Sequence, residues 1–85
     1  LYIDVLDVEV HRLLAEAYVG LKQYDRAIEE YQIALDLKPG DAELMYALGE
    51  TQFQAGDKPA AEKTLRGLLQ KHPKHEAAGE LLRQL

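Results

Sequence analysis

Apolar side chains recur every three or four residues along most of the chain, which is the spacing of one face of an α-helix. One apolar stripe covers residues 10–21 and a second covers residues 24–37. Residues 20–23 interrupt the pattern between them, and Pro39-Gly40 ends the second stripe. The first half of the chain is therefore predicted to form two helices joined by a short turn.

The second half repeats this arrangement with clearer boundaries. Asp41 is a good N-cap for a helix over residues 42–55, because a carboxylate accepts hydrogen bonds from the first free backbone N–H groups. Asp57 is placed to cap the next helix, and Pro59 falls in its first turn, where a missing N–H costs nothing. That helix is predicted to stop before Pro73.

A fifth apolar stripe covers residues 76–85 and predicts a short final helix. The start of the chain is open to two interpretations. Residues 1–10 either continue the helical pattern or, because they are rich in β-branched residues, form an extended arm. No other segment favours a strand, so the pattern predicts an all-α fold of five helices.

The chain also resembles itself when it is shifted by 34 residues. Pro39 then falls on Pro73, Leu14 on Leu48, and Ala15 on Gly49. Further pairs agree in residue type: Glu9 with Glu43, Glu16 with Glu50, Ala27 with Ala61. A fixed period of this length is typical of stacked helical repeats. We predict an arm or the remnant of a preceding element at residues 1–7, repeats at 8–41 and 42–75, and a capping helix at 76–85.

The repeated residues resemble the tetratricopeptide repeat family over about residues 8–74. The family pattern has a bulky residue, Leu-Gly or Leu-Ala, then Tyr, Ala, an aromatic residue, Ala and Pro at set places. The first copy matches it at His11, Leu14, Ala15, Tyr18, Tyr24, Ala27, Tyr31, Ala34 and Pro39. The second copy matches at Met45, Leu48, Gly49, Ala61 and Pro73. It departs at Gln52, Leu65 and Leu68, which we interpret as a modified surface near the end of an array.

This resemblance implies a right-handed α-α superhelix whose concave face is formed by the first helix of each repeat. It also implies that the chain binds a protein or peptide there. Mapped onto that face, the candidate binding residues are Glu9, Arg12, Glu16, Glu43, Tyr46, Glu50, Phe53 and Glu80. The glutamates recur at seven-residue spacing with two aromatic side chains between them. We therefore expect a partner that is basic and partly apolar.

Composition excludes several other functions. The chain has no cysteine and no serine, so thiol chemistry and the usual acyl-transfer nucleophiles are excluded. No glycine-rich phosphate loop is present, and we expect no enzyme activity, no cofactor and no metal site. The net charge of −5 argues against nucleic acid as a partner. No apolar run is long enough to span a membrane.

Two alternatives to a peptide-binding module remain open. The charge is uneven, −7 over residues 1–50 and +2 over residues 51–85, which is compatible with head-to-tail self-association. Two repeats are also fewer than the roughly three that usually make a stable array, so a homo-oligomer is the second interpretation. The third is an accessory region of a larger enzyme. The first residues lack the basic segment of a secretory leader, so we expect no secretory signal there and take a cytoplasmic location as the default. The sequence also lacks an initiator Met and begins with apolar residues, so we expect a fragment of a longer chain.

We interpret the three histidines and the charged residues on the helix surfaces as structural. His72 and His75 have a spacing that two metal ligands could use, but an exposed turn is the interpretation we adopt. His11 occupies a packing position of the repeat, so we expect a partly buried structural histidine. Glu29 and Glu30 lie three and four residues from Arg26, and Glu62 lies four residues from Arg66, so we expect surface ion pairs there.

Overall fold

The computed structural model describes residues 7–85, which form five helices and contain no strand. The helices are α1 (Val8–Gly20), α2 (Tyr24–Leu37), α3 (Ala42–Gln54), α4 (Lys58–Lys71) and α5 (Glu76–Arg83). The predicted all-α helical repeat is therefore confirmed. The arm at residues 1–7 lies outside the described residues apart from Asp7, which caps α1.

Aspartate side chains fix the start of three helices. Asp7 accepts from the N–H of Glu9 at 2.9 Å, and Asp41 accepts from the N–H of Leu44 at 3.0 Å. Asp57 accepts from the N–H of Ala60 at 3.2 Å at the start of α4. Each bond satisfies a backbone donor that has no partner within its helix. These caps explain why α3 and α4 begin at the residues predicted from the sequence.

The turn inside each hairpin has the same backbone geometry. The N–H of Gln23 donates to the carbonyl of Tyr18 at 2.9 Å, and 34 residues later the N–H of Asp57 donates to Gln52 at 3.0 Å. Lys22 has a φ of 60° and its counterpart Gly56 has a φ of 87°. The left-handed position is costly for a lysine and cheap for a glycine. The 34-residue period is thus present in the backbone, while the division into units at residues 8–41, 42–75 and 76–85 stays a prediction.

Small residues allow the two helices of each hairpin to lie close together. Ala15, Ala27 and Ala61 are fully buried. At Gly49 a Cβ atom would lie 2.9 Å from the Cδ2 atom of Leu65, closer than carbon atoms pack. The sequence pattern placed small residues at these crossings, and the structure shows why a larger side chain does not fit at Gly49.

Two clusters of buried side chains lie between consecutive helices. The first joins α1, α2 and α3: Ala15, Tyr31, Ala34, Leu44 and Leu48. The second joins α4 and α5: Leu65, Leu68, Ala78 and Leu81. Each hairpin therefore buries one face within itself and another against its neighbour, which is how repeat proteins make a continuous core from small units.

The departures of the second repeat lie in the core, so our interpretation of them as a modified surface was wrong. Leu65 and Leu68 are fully buried, and Gln52 is 7% exposed. Gln52 accepts a hydrogen bond from the hydroxyl of Thr64 at 2.6 Å. The pairing explains how a polar side chain is accommodated where the first repeat has Tyr18, because a buried amide needs a partner.

Candidate functional site

The first predicted site residues form a charged triad on α1. Arg12 makes ion pairs with both Glu9 and Glu16, three and four residues away on the same helix. Its Nε atom also donates to Glu9 at 3.2 Å. The hydrogen bond that Arg12 donates to Glu9 holds the pKa of Glu9 below its ordinary value and raises the pKa of Arg12. Arg12 therefore partly neutralises the negative charges of Glu9 and Glu16.

Tyr31 is near one acidic residue of each repeat. Its ring is buried on α2, and burial is the main reason that its pKa is raised. The carboxylates of Glu16 and Glu50 raise the pKa of Tyr31 further. Both carboxylates are thus close enough to Tyr31 for their charge to raise its pKa, although Glu16 belongs to α1 and Glu50 to α3.

Tyr46, on α3, is also near glutamates of two helices. Its pKa is raised first by burial and then by the negative charges of Glu50 and Glu80. Glu16 and Glu50 are thus neighbours of Tyr31, and Glu50 and Glu80 are neighbours of Tyr46. We call these three glutamates the acidic line. Within residues 7–85, Glu50 and Glu80 make no ion pair, in contrast to Glu16.

Glu43 and Phe53 are the remaining predicted residues, and they contribute differently. Phe53 is half-buried and packs against the second core cluster together with Tyr46. Both rings thus belong partly to the core, and only part of their surface is open to a partner. Glu43 is exposed in the first turn of α3, where a negative charge favours the positive end of the helix dipole.

His75 has a role that the sequence analysis missed. Its Nδ1 atom accepts a hydrogen bond from the N–H of Ala78 at 3.1 Å and so caps α5. Its ring stacks on Tyr46, with the ring centroids 5.4 Å apart. A signal for this role was present: His75 follows Asp41 by 34 residues, as Asp41 follows Asp7, and both aspartates are caps. The interpretation of an exposed turn was therefore incomplete.

The other histidines and arginines also find specific partners. His11 is partly buried as predicted, and its Nδ1 atom lies 2.9 Å from Glu30. The expected pair between Arg26 and Glu30 does not form. Glu30 pairs with His11 instead, and the Arg26 guanidinium lies 6.0 Å from the ring centroid of Tyr18. The predicted pair of Arg66 with Glu62 is present at 2.7 Å.

His72 contributes to the turn between α4 and α5. Its Nε2 atom lies 3.0 Å from the carbonyl oxygen of Gly40, which joins this turn to the end of the first repeat. Across the described part of the chain, no three His, Cys, Asp or Glu side chains are grouped to hold a metal ion. No helix among those residues is long and apolar enough to cross a membrane.

Comparison with known proteins agrees with this architecture. The tetratricopeptide repeat family matches residues 19–85. The chain is also 37% identical over 67 residues to the Cellulose synthase operon protein C of Komagataeibacter xylinus. That match covers 79% of this chain, but the chain spans only 5% of the length of that relative. The chain belongs to the tetratricopeptide repeat family, whose repeats are generally protein–protein interaction or scaffold modules.

Proposed function

We propose that this chain binds a basic, partly apolar peptide or helix along the face shared by α1, α3 and α5. The acidic line is the single observation that carries the proposal. Its three carboxylates belong to the alternate helices α1, α3 and α5, and two of them make no ion pair within residues 7–85. A line of negative charge steers a cationic partner and selects against an acidic one.

Aromatic side chains would provide the apolar part of the binding energy. Tyr46 is close enough to Glu50 and Glu80 for both charges to raise its pKa, and Phe53 lies about two turns further along α3. A lysine or arginine side chain of the partner would place its aliphatic portion on these rings and its charge near the carboxylates. The proposed site consists of Glu9, Arg12, Glu16, Glu43, Tyr46, Glu50, Phe53 and Glu80. It gives the chain a binding role with no catalytic step.

Charge reversal tests this proposal with a defined probe. A synthetic amphipathic helical peptide of lysine and leucine is titrated against the protein at low and high salt. We expect Glu16→Lys and Glu50→Lys each to weaken binding about tenfold at low salt and to reduce its salt dependence. Glu29→Lys is the matched control, because it makes the same change of charge at an exposed position of α2. An equal loss in Glu29→Lys would show that only net charge matters and would refute the site.

Self-association is a second candidate function, favoured by the exposed apolar surface of α1. Leu13 is 53% exposed, Leu14 is 42% exposed and Leu21 is 65% exposed. The counterpart of Leu14 in the second repeat, Leu48, is only 7% exposed because it lies in the cluster that α2 and α3 share. A second copy would cover Leu14 in an equivalent way. Sedimentation equilibrium of the chain alone distinguishes a dimer of this kind from a monomeric peptide binder.

The similarity to a protein named for a cellulose synthase operon supports the third interpretation, an accessory module within a larger assembly. In that role the chain would hold a protein partner beside an enzyme and would leave the chemistry to other parts. Affinity capture with the intact polypeptide identifies that partner directly. A recovered partner that still binds the Glu50→Lys variant would show that it does not use the proposed face of α1, α3 and α5.

A further inference from the structure

The first turn of α5 depends on an imidazole where α1, α3 and α4 depend on carboxylates. His75 accepts the Ala78 N–H through Nδ1. An imidazole nitrogen accepts a hydrogen bond only when it carries no proton, so His75 is neutral in this arrangement and its proton is on Nε2. An aspartate cap is lost only in strong acid, whereas an imidazole gains a proton within the range of pH that cells experience.

Protonation of His75 would act against α5 in two ways. Nδ1 would become a donor facing the N–H of Ala78, so the cap would be lost and that N–H would have no acceptor. The new positive charge would also lie at the N-terminus of α5, where the helix dipole is itself positive. Both effects favour a frayed first turn over the capped one.

The charges around His75 come from each element that packs near it. On α3, the neighbouring group is the neutral ring of Tyr46. Cationic or imidazole groups at the end of α4, in the following turn and on α5 line the same crevices as His75: Lys71, His72, Lys74 and Arg83. Glu76 and Glu80 on α5 line the same crevice, but neither makes an ion pair with His75 within residues 7–85. The hydrogen bond from the Ala78 N–H is therefore the specific contact of His75 that requires an unprotonated Nδ1 atom.

α5 has little else to keep it helical. It contains 8 residues, and an isolated helix shorter than about 12 residues is marginal in water. Its attachment to the rest of the protein consists of Ala78 and Leu81 packed with Leu65 and Leu68, together with the partly buried Leu82 and Leu85 near its end. Loss of the first turn therefore loosens the segment that carries Ala78, and Glu80 moves with it.

We propose that His75 is an acid-sensitive cap whose protonation loosens α5 and withdraws Glu80 from the acidic line. The first half of this inference concerns the fold alone. The second half, that acid weakens the binding of a basic peptide, rests on the function proposed above. Near-neutral pH then favours binding of the peptide, and mild acid favours its release.

Nuclear magnetic resonance of the unmodified protein tests the first half without any ligand. We expect the nitrogen shifts of His75 to show the proton on Nε2 at pH 7.5. Between pH 7.5 and 5.0, the protection of α5 amides, corrected for intrinsic exchange, should fall about tenfold relative to that of α1 amides. A proton on Nδ1 at pH 7.5, or equal α5 protection at the two pH values, would overturn the proposal.

Two variants separate His75 from the other titrating groups. His75→Asn keeps a side chain that caps helices but does not titrate, so α5 protection should become independent of pH. His72→Asn removes the neighbouring imidazole and should leave the pH dependence of α5 in place. Unchanged pH dependence in His75→Asn would contradict the assignment to His75.

The lysine–leucine peptide tests the second half. Binding to the unmodified protein should weaken between pH 7.5 and 5.0, and binding to His75→Asn should weaken much less. If α5 responds to pH but the peptide binds equally well at both values, the link to the groove is wrong and the cap stands. If the peptide does not bind at either pH, the proposed function fails independently of the cap.

Discussion

Gly49 lies where α3 crosses α4, and replacing it with alanine tests the close approach of these helices. The added Cβ atom would lie 2.9 Å from Cδ2 and 3.0 Å from Cγ of Leu65. Leu65 is fully buried, so its side chain has little room to move away. The substitution therefore combines a favourable change in helix propensity with an unfavourable steric contact.

The magnitude follows from these two opposing contributions. Alanine is favoured over glycine in a helix interior by about 1 kcal/mol. Forcing an extra carbon into a packed core costs roughly 1–3 kcal/mol. We expect Gly49→Ala to lower the free energy of unfolding by about 1 kcal/mol in total. For a domain of this size that corresponds to a fall in Tm of roughly 4–8 °C.

Chemical denaturation and thermal melting of Gly49→Ala measure this change, with Gly67→Ala as the matched control. Gly67 is also inside a helix of the same hairpin, but a Cβ there would lie 3.6 Å from the Cε atom of Met45, an ordinary contact. Gly67→Ala should therefore stabilise the protein by about 0.5–1 kcal/mol. If Gly49→Ala stabilises the protein as much as Gly67→Ala does, the steric argument for the crossing is wrong.

Two further substitutions test the caps and the core. The hydrogen bond from the Leu44 N–H is the main reason that the pKa of Asp41 lies below its ordinary value of 3.8, and Lys38 lowers this pKa further. The stability that the charged Asp41 contributes is therefore complete above about pH 4 and is lost as the pH falls through the lowered pKa. Asp41→Ala should cost about 1 kcal/mol at pH 7 in chemical denaturation, with a smaller difference from the unmodified protein at pH 2.5; an equal difference at both pH values would contradict a charged cap. Leu68→Ala should cost about 2–5 kcal/mol because Leu68 is fully buried, whereas Leu21→Ala at a 65% exposed position should change stability by less than about 0.5 kcal/mol.

Most of the fold could be predicted from the sequence because its determinants are local. Helical spacing, the aspartate caps and Pro59 each act within one or two turns, so their effects do not depend on distant parts of the chain. The interior of the second repeat could not be predicted in this way. Gln52 is buried only because Thr64, twelve residues away, supplies its hydrogen bond, and a pattern of polar residues places both on the surface.

The pairing of charges around the candidate site could not be predicted from the sequence, and the site itself stays a prediction. Spacing alone places Glu16 and Glu50 on equivalent faces of successive repeats. The pairing of Arg12 with two glutamates depends on the side-chain conformations of three residues, and the spacing does not specify which of the possible pairs forms. His75 was missed for another reason: histidine is an unusual cap, and only the 34-residue period identifies its position.

The packing of each helix against the next one along the chain has a mechanical consequence. The main contacts join α1 with α2, α2 with α3, α3 with α4, and α4 with α5. A load applied at the carboxyl end therefore passes through α5 first and reaches the first hairpin only through every interface between them. We expect such a chain to yield stepwise from that end, with the short last helix extending before the hairpins. A partner bound across α3 and α5 would then resist the extension of α5 and would raise the force needed for this first step.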